Sequence, residues 1–573
     1  MLKRSGQRTD FGSFWTFGFE SLLLSGRVFA APIFRRMKSL PFGSLVVSIL
    51  LVAGTATSAA DKPNLVFILC DDLGYGDVSC LNPDGGIKTP HMDHMASEGM
   101  LFTDAHSGSS VCSPTRYGVI TGRYAWRSRL KSGVLGGLSP RLIEAGRITV
   151  AEMLKAQGYH TAAIGKWHLG MDWEKKGSVA VAELNVESRE QVFNVDYAKP
   201  IRNGVNSVGF DFYFGISASL DMVPYTYIAN DRVTVLPTED RDYPMFFGRE
   251  EDRARKGPAA PNFEVENVLP DLTKKAVDYI RSRTADAKAG RPFFLYLPLA
   301  SPHTPIAPTK EWQGKSGLNA YADFVMQTDR GIGEVLKALD EQGLTRDTLV
   351  IVTSDNGCSP QADFPALASK GHHPSQAFRG HKADIYEGGH RIPFIVRWPG
   401  KVRAGSKSDQ TICLTDFMRT AADILKVPLP DNAAEDSVSI LPVLLGSDTG
   451  PIREATVHHS INGSFAIRQG KWKLEFCPGS GGWSSPRPGQ QDTSKLPLTQ
   501  LYDLQTDPAE ERNVQGEHPD VVARLTGLME KYAKEGRSTP GQPQANDGTV
   551  DIWKAGHQAH QPLAAKIKKK KTQ

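Results

Sequence analysis

The sequence predicts an α/β domain built on a mostly parallel central sheet, followed by a smaller C-terminal α+β domain with an antiparallel sheet. Three observations predict it. Short apolar runs alternate with helical segments from Pro63 onward, polar and charged clusters follow the carboxyl ends of those runs, and the rhythm changes near Asp431. In open parallel sheets ligands bind beyond the carboxyl ends of strands, so Asp71-Asp72, Lys166-Trp167-His168, His303 and Asp355-Asn356 are expected in one cleft.

Residues 65–69 (Leu-Val-Phe-Ile-Leu) read as a strand buried on both faces. Thr149 and Glu152 form a capping box, Val150, Met153 and Leu154 line one helical face, and Gly158 ends the helix. Residues 159–164 are the next strand. A helix through 272–280 leads into a strand at 292–297, and a helix through 324–339 leads into one at 349–353. Further on, residues 455–467, 471–476 and 501–504 read as short antiparallel strands, 479–498 as a long loop and 519–533 as an amphipathic helix. The expected division is a targeting segment at 1–60, the large α/β domain at 61–430, the α+β domain at 431–540 and a loosely packed basic tail at 541–573.

Apolar residues make up 40% of the 573 and charged ones 23%, the balance of a globular protein. The net charge of +4, partly carried by the lysines of 566–571, gives no sign of a nucleic-acid partner. Arg35-Arg36-Met37-Lys38, the apolar run 45–53 and Ser58-Ala59-Ala60 have the layout of a secretory signal, with Met37 a good natural start. The apolar run is too short for an ordinary membrane span, so an exported protein, periplasmic or secreted, is expected. The twin arginines leave export in the folded state open. Of six cysteines, Cys70 and Cys413 end or lie in apolar runs and are expected as buried thiols; a Cys70–Cys80 bridge is left open.

The acid pair at 71–72 repels itself unless a cation is present, although a lone Asp-Asp also suits a capping turn. With Asp355-Asn356 it offers three carboxylates and an amide oxygen, hard ligands suited to calcium or magnesium. Lys166 and His168, at i and i+2, point to one side if the chain is extended. Pro302 and Pro305 stiffen the loop around His303. Residues 380–393 contain Gly-x-Lys at Lys382 and Glu-Gly-Gly-x-Arg, in which Glu387 and Arg391 suit a structural ion pair and the glycines suit close backbone packing.

The segment Cys112-Ser113-Pro114-Thr115-Arg116, followed by Thr121-Gly122-Arg123, resembles the activation site of the type I sulfatases. Residues 158–168 and 380–393 resemble two further segments of that family. The resemblance implies an alkaline-phosphatase-like fold and hydrolysis of sulfate monoesters of carbohydrates or phenols. It implies that Cys112 is oxidised to Cα-formylglycine by a maturing enzyme, with Asp71, Asp72, Asp355, Asn356 and the modified Cys112 around one calcium ion. By the same resemblance Arg116, Lys166 and Lys382 stabilise the sulfate or the modified residue. His303 binds sulfate and helps protonate the departing oxygen, and His168 accepts a proton from the second hydroxyl of the aldehyde hydrate. Asp355 is the expected base for the first. Thr115 stands where many members have Ser, which bears on recognition by the maturing enzyme. Two other readings stay open, a phosphate- or phosphonate-ester hydrolase of the same fold and a non-catalytic binder of sulfated glycans. Residues 203–255, rich in aromatics, Asp and Arg, are expected to wall the substrate pocket.

Overall fold

The computed structural model describes residues 62–179, 187–447 and 450–553. The signal segment and the lysine-rich end lie outside the described residues. Ten strands form the main sheet: β1 (Asn64–Cys70), β2 (Met100–Phe102), β3 (His160–Lys166), β4 (Phe212–Ile216), β5 (Ile228–Ala229), β6 (Arg232–Val233), β7 (Phe293–Pro298), β8 (Thr348–Ser354), β9 (Phe394–Arg397) and β10 (Ser406–Ser408). Their order is β10-β2-β9-β8-β1-β7-β3-β4-β5-β6. The central five, β8-β1-β7-β3-β4, run parallel, while β9 and β5 join antiparallel on either side.

Burial explains the composition of the centre. Every residue of β1, β7 and β8 is buried, which is why these strands are continuous apolar runs rather than alternating ones. The predicted capping box is present: Thr149 Oγ1 accepts from Glu152 N–H and Glu152 Oε2 accepts from Thr149 N–H, opening the helix Val150–Ala156. The two long helices, Val268–Lys288 and Ala320–Glu341, extend well beyond the segments read from their apolar faces. Their C-terminal turns are polar and carry no periodic signal.

The second sheet has four antiparallel strands, β11 (Thr456–His459), β12 (Phe465–Gln469), β13 (Trp472–Glu475) and β14 (Gln500–Asp503). The stretch 455–467, read as one strand, is two, because the chain reverses through Gly463 in a left-handed conformation (φ 85°). Helix Pro519–Glu535 packs on β12 and β13. The described residues belong to one compact unit. Tyr124 and Trp126 join the apolar core beneath the second sheet, and Arg127 makes a buried two-pronged pair with Asp436 (2.8 Å through both Nε and Nη2). Residues 541–553 are mostly exposed and irregular, held at a few points: Arg123 Nη2 donates to the Ala545 carbonyl at 2.6 Å, Arg127 Nη1 donates to Asn546 Oδ1 at 3.2 Å, and Ile552 is buried. No helix among the described residues is long and apolar enough to cross a membrane.

Candidate active site

The parallel centre brings the predicted residues together. Asp71 and Asp72 follow β1, Lys166 ends β3, His303 lies in the loop after β7, and Asp355 and Asn356 follow β8. Cys112 is the first residue of the helix Cys112–Thr121, whose Arg116 points back into the cleft one turn later. All of these side chains are buried.

Charges of opposite sign alternate around Cys112. Arg116 donates through Nε and Nη2 to Asp355 Oδ2 (3.0 and 2.7 Å), and through Nη1 to the Lys166 carbonyl (3.0 Å). Lys166 Nζ donates to Asp71 Oδ2 (2.7 Å) and Ser219 Oγ (3.1 Å). Lys382 Nζ donates to Asp72 Oδ2 at 2.8 Å, and His303 Nε2 lies 3.7 Å from the same oxygen. Asn356 Nδ2 donates to Asp72 Oδ1 at 2.7 Å. Two ligand-type oxygens, Asp71 Oδ1 and Asn356 Oδ1, are buried and accept no hydrogen bond among the described residues. Candidate ligand atoms of Asp71, Cys112 and Asp355, and of Asp71, Asp72 and His303, fall within 4.8 Å of one another. Buried oxygens left without donors, next to paired carboxylates, fit a hard divalent cation.

The titrations follow from this geometry. Burial favours the neutral form of Asp71, but Lys166, His303, Arg116 and Lys382 outweigh it and hold the carboxyl below the usual carboxylate range. Asp355 goes the other way, pushed up by burial and then by the charge of Asp71, against Arg116 and Lys166. Burial also raises the Cys112 thiol, opposed by Lys166 and Lys382, so the unmodified residue is a protonated, poor nucleophile at neutral pH. Lys382, despite burial, is held charged by Asp72.

Backbone carbonyls fix both imidazoles, because a carbonyl can only accept. His168 Nε2 is 2.7 Å from the Leu135 carbonyl and so carries the proton, leaving Nδ1 as a buried lone pair without a partner among the described residues. Burial and then Lys166 depress its pKa well below the ordinary histidine value. His303 Nδ1 is 2.6 Å from the Thr304 carbonyl, which leaves Nε2 facing Asp72. The extended-chain argument for Lys166 and His168 fails: β3 stops at Lys166, and His168 is left-handed at φ 56°. The tertiary contact with Leu135, not strand parity, orients His168.

Ser219 was not singled out by sequence. Its Oγ touches Lys166 Nζ and lies 3.2–3.3 Å from the His303 ring nitrogens. It belongs to the 203–255 stretch expected at the pocket wall, but nothing local distinguishes it from other serines. Glu387 and Arg391 form the expected ion pair at 3.1 Å, and a Cβ on Gly388 would meet the Gly380 carbonyl at 2.3 Å. All six cysteines are free thiols, Cys70 and Cys413 buried as expected, and no Cys70–Cys80 bridge is present. Thr115 is buried, with Oγ1 donating to the Ser109 carbonyl at 3.0 Å. A cavity of about 1050 Å³ between Arg419, Arg453 and Arg537 holds none of these groups; volume without convergent chemistry does not outweigh them.

Comparison with known proteins agrees with the geometry. The family model "Sulfatase" matches residues 63–427. An N-acetylgalactosamine-6-O-sulfatase of Bacteroides thetaiotaomicron is 35% identical over 509 residues, covering 82% of this chain and 93% of the relative. Human arylsulfatase A is 31% identical over 84% of this chain and 90% of its own length. A solved structure from work on the metabolism of multiple glycosaminoglycans by Bacteroides thetaiotaomicron superposes with a TM-score of 0.69 at 34% identity, covering 82% of this chain and 99% of that one. With the family model spanning the whole region that supplies the cleft, this chain belongs to the sulfatase family and is a sulfuric ester hydrolase.

Proposed function

We propose that the enzyme cleaves sulfate monoesters of a carbohydrate, using Cys112 converted to Cα-formylglycine and a calcium ion held by Asp71, Asp72, Asp355, Asn356 and the modified Cys112. The observation that carries this reading is the pair of buried oxygens that accept no hydrogen bond among the described residues, Asp71 Oδ1 (3.6 Å from Arg116 Nη2) and Asn356 Oδ1, beside a cysteine whose thiol burial keeps protonated. When bound, the ion supplies Lewis acidity and the aldehyde hydrate supplies a nucleophilic oxygen.

The chain's own residues do the rest. Lys166, Lys382 and Arg116 are fixed positive groups in a water-poor cleft, where they stabilise charge that grows on the sulfate and the departing oxygen. His303, with Nδ1–H pinned on the Thr304 carbonyl, presents Nε2 for a proton to the departing alcohol. Asp355 is the base that takes the first proton. His168, neutral and with Nδ1 unpartnered, takes the second, which returns the site to its starting state. Asp72 holds Lys382 in place.

The 35% identical relative named for N-acetylgalactosamine-6-O-sulfate makes a 6-sulfated N-acetylhexosamine the first substrate to try. Export and encounter with a formylglycine-generating enzyme belong to the same proposal and rest on residues 35–60.

The test is mass spectrometry of the tryptic peptide 89–116 from protein made with its maturing enzyme, paired with sulfate release. Formylglycine at position 112 together with turnover supports the mechanism. Full turnover from protein that retains unmodified cysteine throughout would overturn it.

A further inference from the structure

Asp72 is left-handed, at φ 64°. Neighbouring side chains on an extended chain point to opposite faces, yet Asp71 and Asp72 serve one cleft: candidate ligand atoms of the two and of His303 fall within 4.8 Å of one another. The left-handed residue soon after β1 is what lets consecutive acids face the same way. A residue with a Cβ, even the more tolerant Asp, holds that conformation only where its surroundings enforce it.

Side chains from distant segments enforce it. Asp72 N–H donates to Asp355 Oδ1 at 3.3 Å, Leu73 N–H to Ser354 Oγ at 3.0 Å, and Gly74 N–H to Asp77 Oδ2 at 2.7 Å. The hydroxyl of Tyr321, on the helix Ala320–Glu341, lies 3.1 Å from the Asp72 carbonyl and 2.5 Å from Asp77 Oδ2. A phenol has a single proton to give, so Tyr321 shares it between the left-handed carbonyl and the Asp77 carboxylate and bridges the two.

Asp77 is where these contacts converge. It is fully buried, and its Oδ1 lies 2.8 Å from His372 Nε2, on the segment between Asn356 and Lys382. The same segment packs on the turn: Gly76 N–H donates to the Pro374 carbonyl at 2.6 Å, and a Cβ on Gly74 would meet that carbonyl at 2.6 Å. One carboxylate thus ties the turn after β1 to a long helix and to the loop that leads to Lys382. Its hydrogen-bond partners Gly74, Tyr321 and His372 are not among the cleft residues, and the reaction described above makes no use of it.

Resting on the metal reading above, we propose that Asp77 is a positioning residue: through Tyr321 and the Gly74 amide it locks the left-handed conformation of Asp72 and so holds Asp71 and Asp72 on one cation. Without the lock Asp72 relaxes toward extended backbone, its carboxylate turns from the cleft, and Lys382 loses its partner.

The experiment is calorimetric titration of calcium into full-length protein bearing modified Cys112, with steady-state kinetics and thermal midpoints alongside. Asp77→Ala should weaken calcium binding about 10- to 100-fold, the usual cost of losing a group that orients a ligand. Stoichiometry should be unchanged, and excess calcium should restore most of the lost kcat/KM. Asp77→Asn, whose amide oxygen still accepts from Gly74 N–H and Tyr321 O–H, should stay close to wild type. Tyr321→Phe keeps the ring and loses the bridge; it should weaken calcium binding by itself and add little to Asp77→Ala. A purely structural Asp77 would lower the thermal midpoint and the fraction of chains that bind, at unchanged Kd. That result in Asp77→Ala and Tyr321→Phe overturns the proposal; if Asp77→Ala does not fold, Tyr321→Phe decides alone. If wild type binds no calcium, the metal reading fails instead. Hydrogen exchange of residues 70–78 then decides the lock: faster exchange in Tyr321→Phe at an unchanged thermal midpoint sustains it, and equal exchange removes it.

Discussion

Asp355 and Asp71 share a buried cleft, and only one of them carries its charge comfortably without a cation. Asp355 is pushed above the usual carboxylate range by burial and by Asp71. A bound divalent ion reverses that cost, so metal binding near neutral pH should release a fraction of a proton. Calorimetry in two buffers of different ionisation enthalpy reads it directly; calcium uptake with no proton release at pH 7 would contradict the assignment of Asp355 to the ion. For Lys382, whose Nζ is held 2.8 Å from Asp72, Lys382→Ala should lower kcat/KM for sulfate esters by about 10²–10³, the usual loss of one charge-stabilising donor. Steady-state kinetics with calcium affinity measured alongside separates a lost sulfate contact from a damaged metal site.

At the scale of elements, close approach of backbones sets where the catalytic groups stand. Gly165 precedes Lys166 at φ 138°, and a Cβ there would meet the Pro298 carbonyl of β7 at 1.8 Å. Gly165→Ala must therefore push β3 from β7 just where Lys166 and the His303 loop leave the sheet. The expected result is a loss of activity larger than the loss of stability, read as kcat/KM against the thermal midpoint. The helix Cys112–Thr121 is placed by a different device: Gly122, at φ 65°, ends it in a left-handed cap. The helix thus carries Cys112 at its start and Arg116 one turn on, with both facing the strand ends.

Across the whole molecule, the two sheets meet through buried polar groups. Arg127 and Asp436 have no exposed side-chain surface, so Arg127→Ala strands a buried carboxylate and should cost about 3–5 kcal/mol in denaturant unfolding. A second junction is made of histidines. His106 Nδ1 lies 3.1 Å from His390 Nδ1, and His390 stacks on His458 at 4.0 Å between centroids. Asp104, Glu387, Arg468 and Lys473 surround them. Burial first, and then His106 and Lys473, hold His458 well below its ordinary value of 6.5. A histidine with a depressed folded pKa contributes stability that is fully present above about pH 6.5. That stability is lost as pH falls below this value, because the unfolded chain takes up the proton first. His458→Asn, which cannot titrate, should flatten the acid loss of stability below pH 6.5 by up to about 1.4 kcal/mol per pH unit. Chemical denaturation at pH 7.5, 6.0 and 5.0 checks it; parallel profiles for the two proteins would place the acid sensitivity elsewhere.

The central strands were legible because burial on both faces writes itself as uninterrupted Val, Ile, Leu and Phe, and Thr149 with Glu152 because a capping box is local chemistry. The motif residues were legible because each follows a strand end or opens a helix, and parallel strands bring such ends together. What sequence could not supply were relations between distant segments: that Ser219 would touch Lys166 and His303, that Ala545 and Asn546 would be held by Arg123 and Arg127, and that 455–467 would fold back on itself. His168 shows the division most plainly. Its identity and its neighbour Lys166 were visible in the chain, but its tautomer and its free Nδ1 depend on the Leu135 carbonyl, 33 residues earlier. The sequence by itself determined which groups the enzyme owns, since strand burial and helix capping are read over a few residues. Only the tertiary structure decided which lone pairs remain free to bind or to take a proton, because that depends on every donor the fold brings within hydrogen-bonding distance.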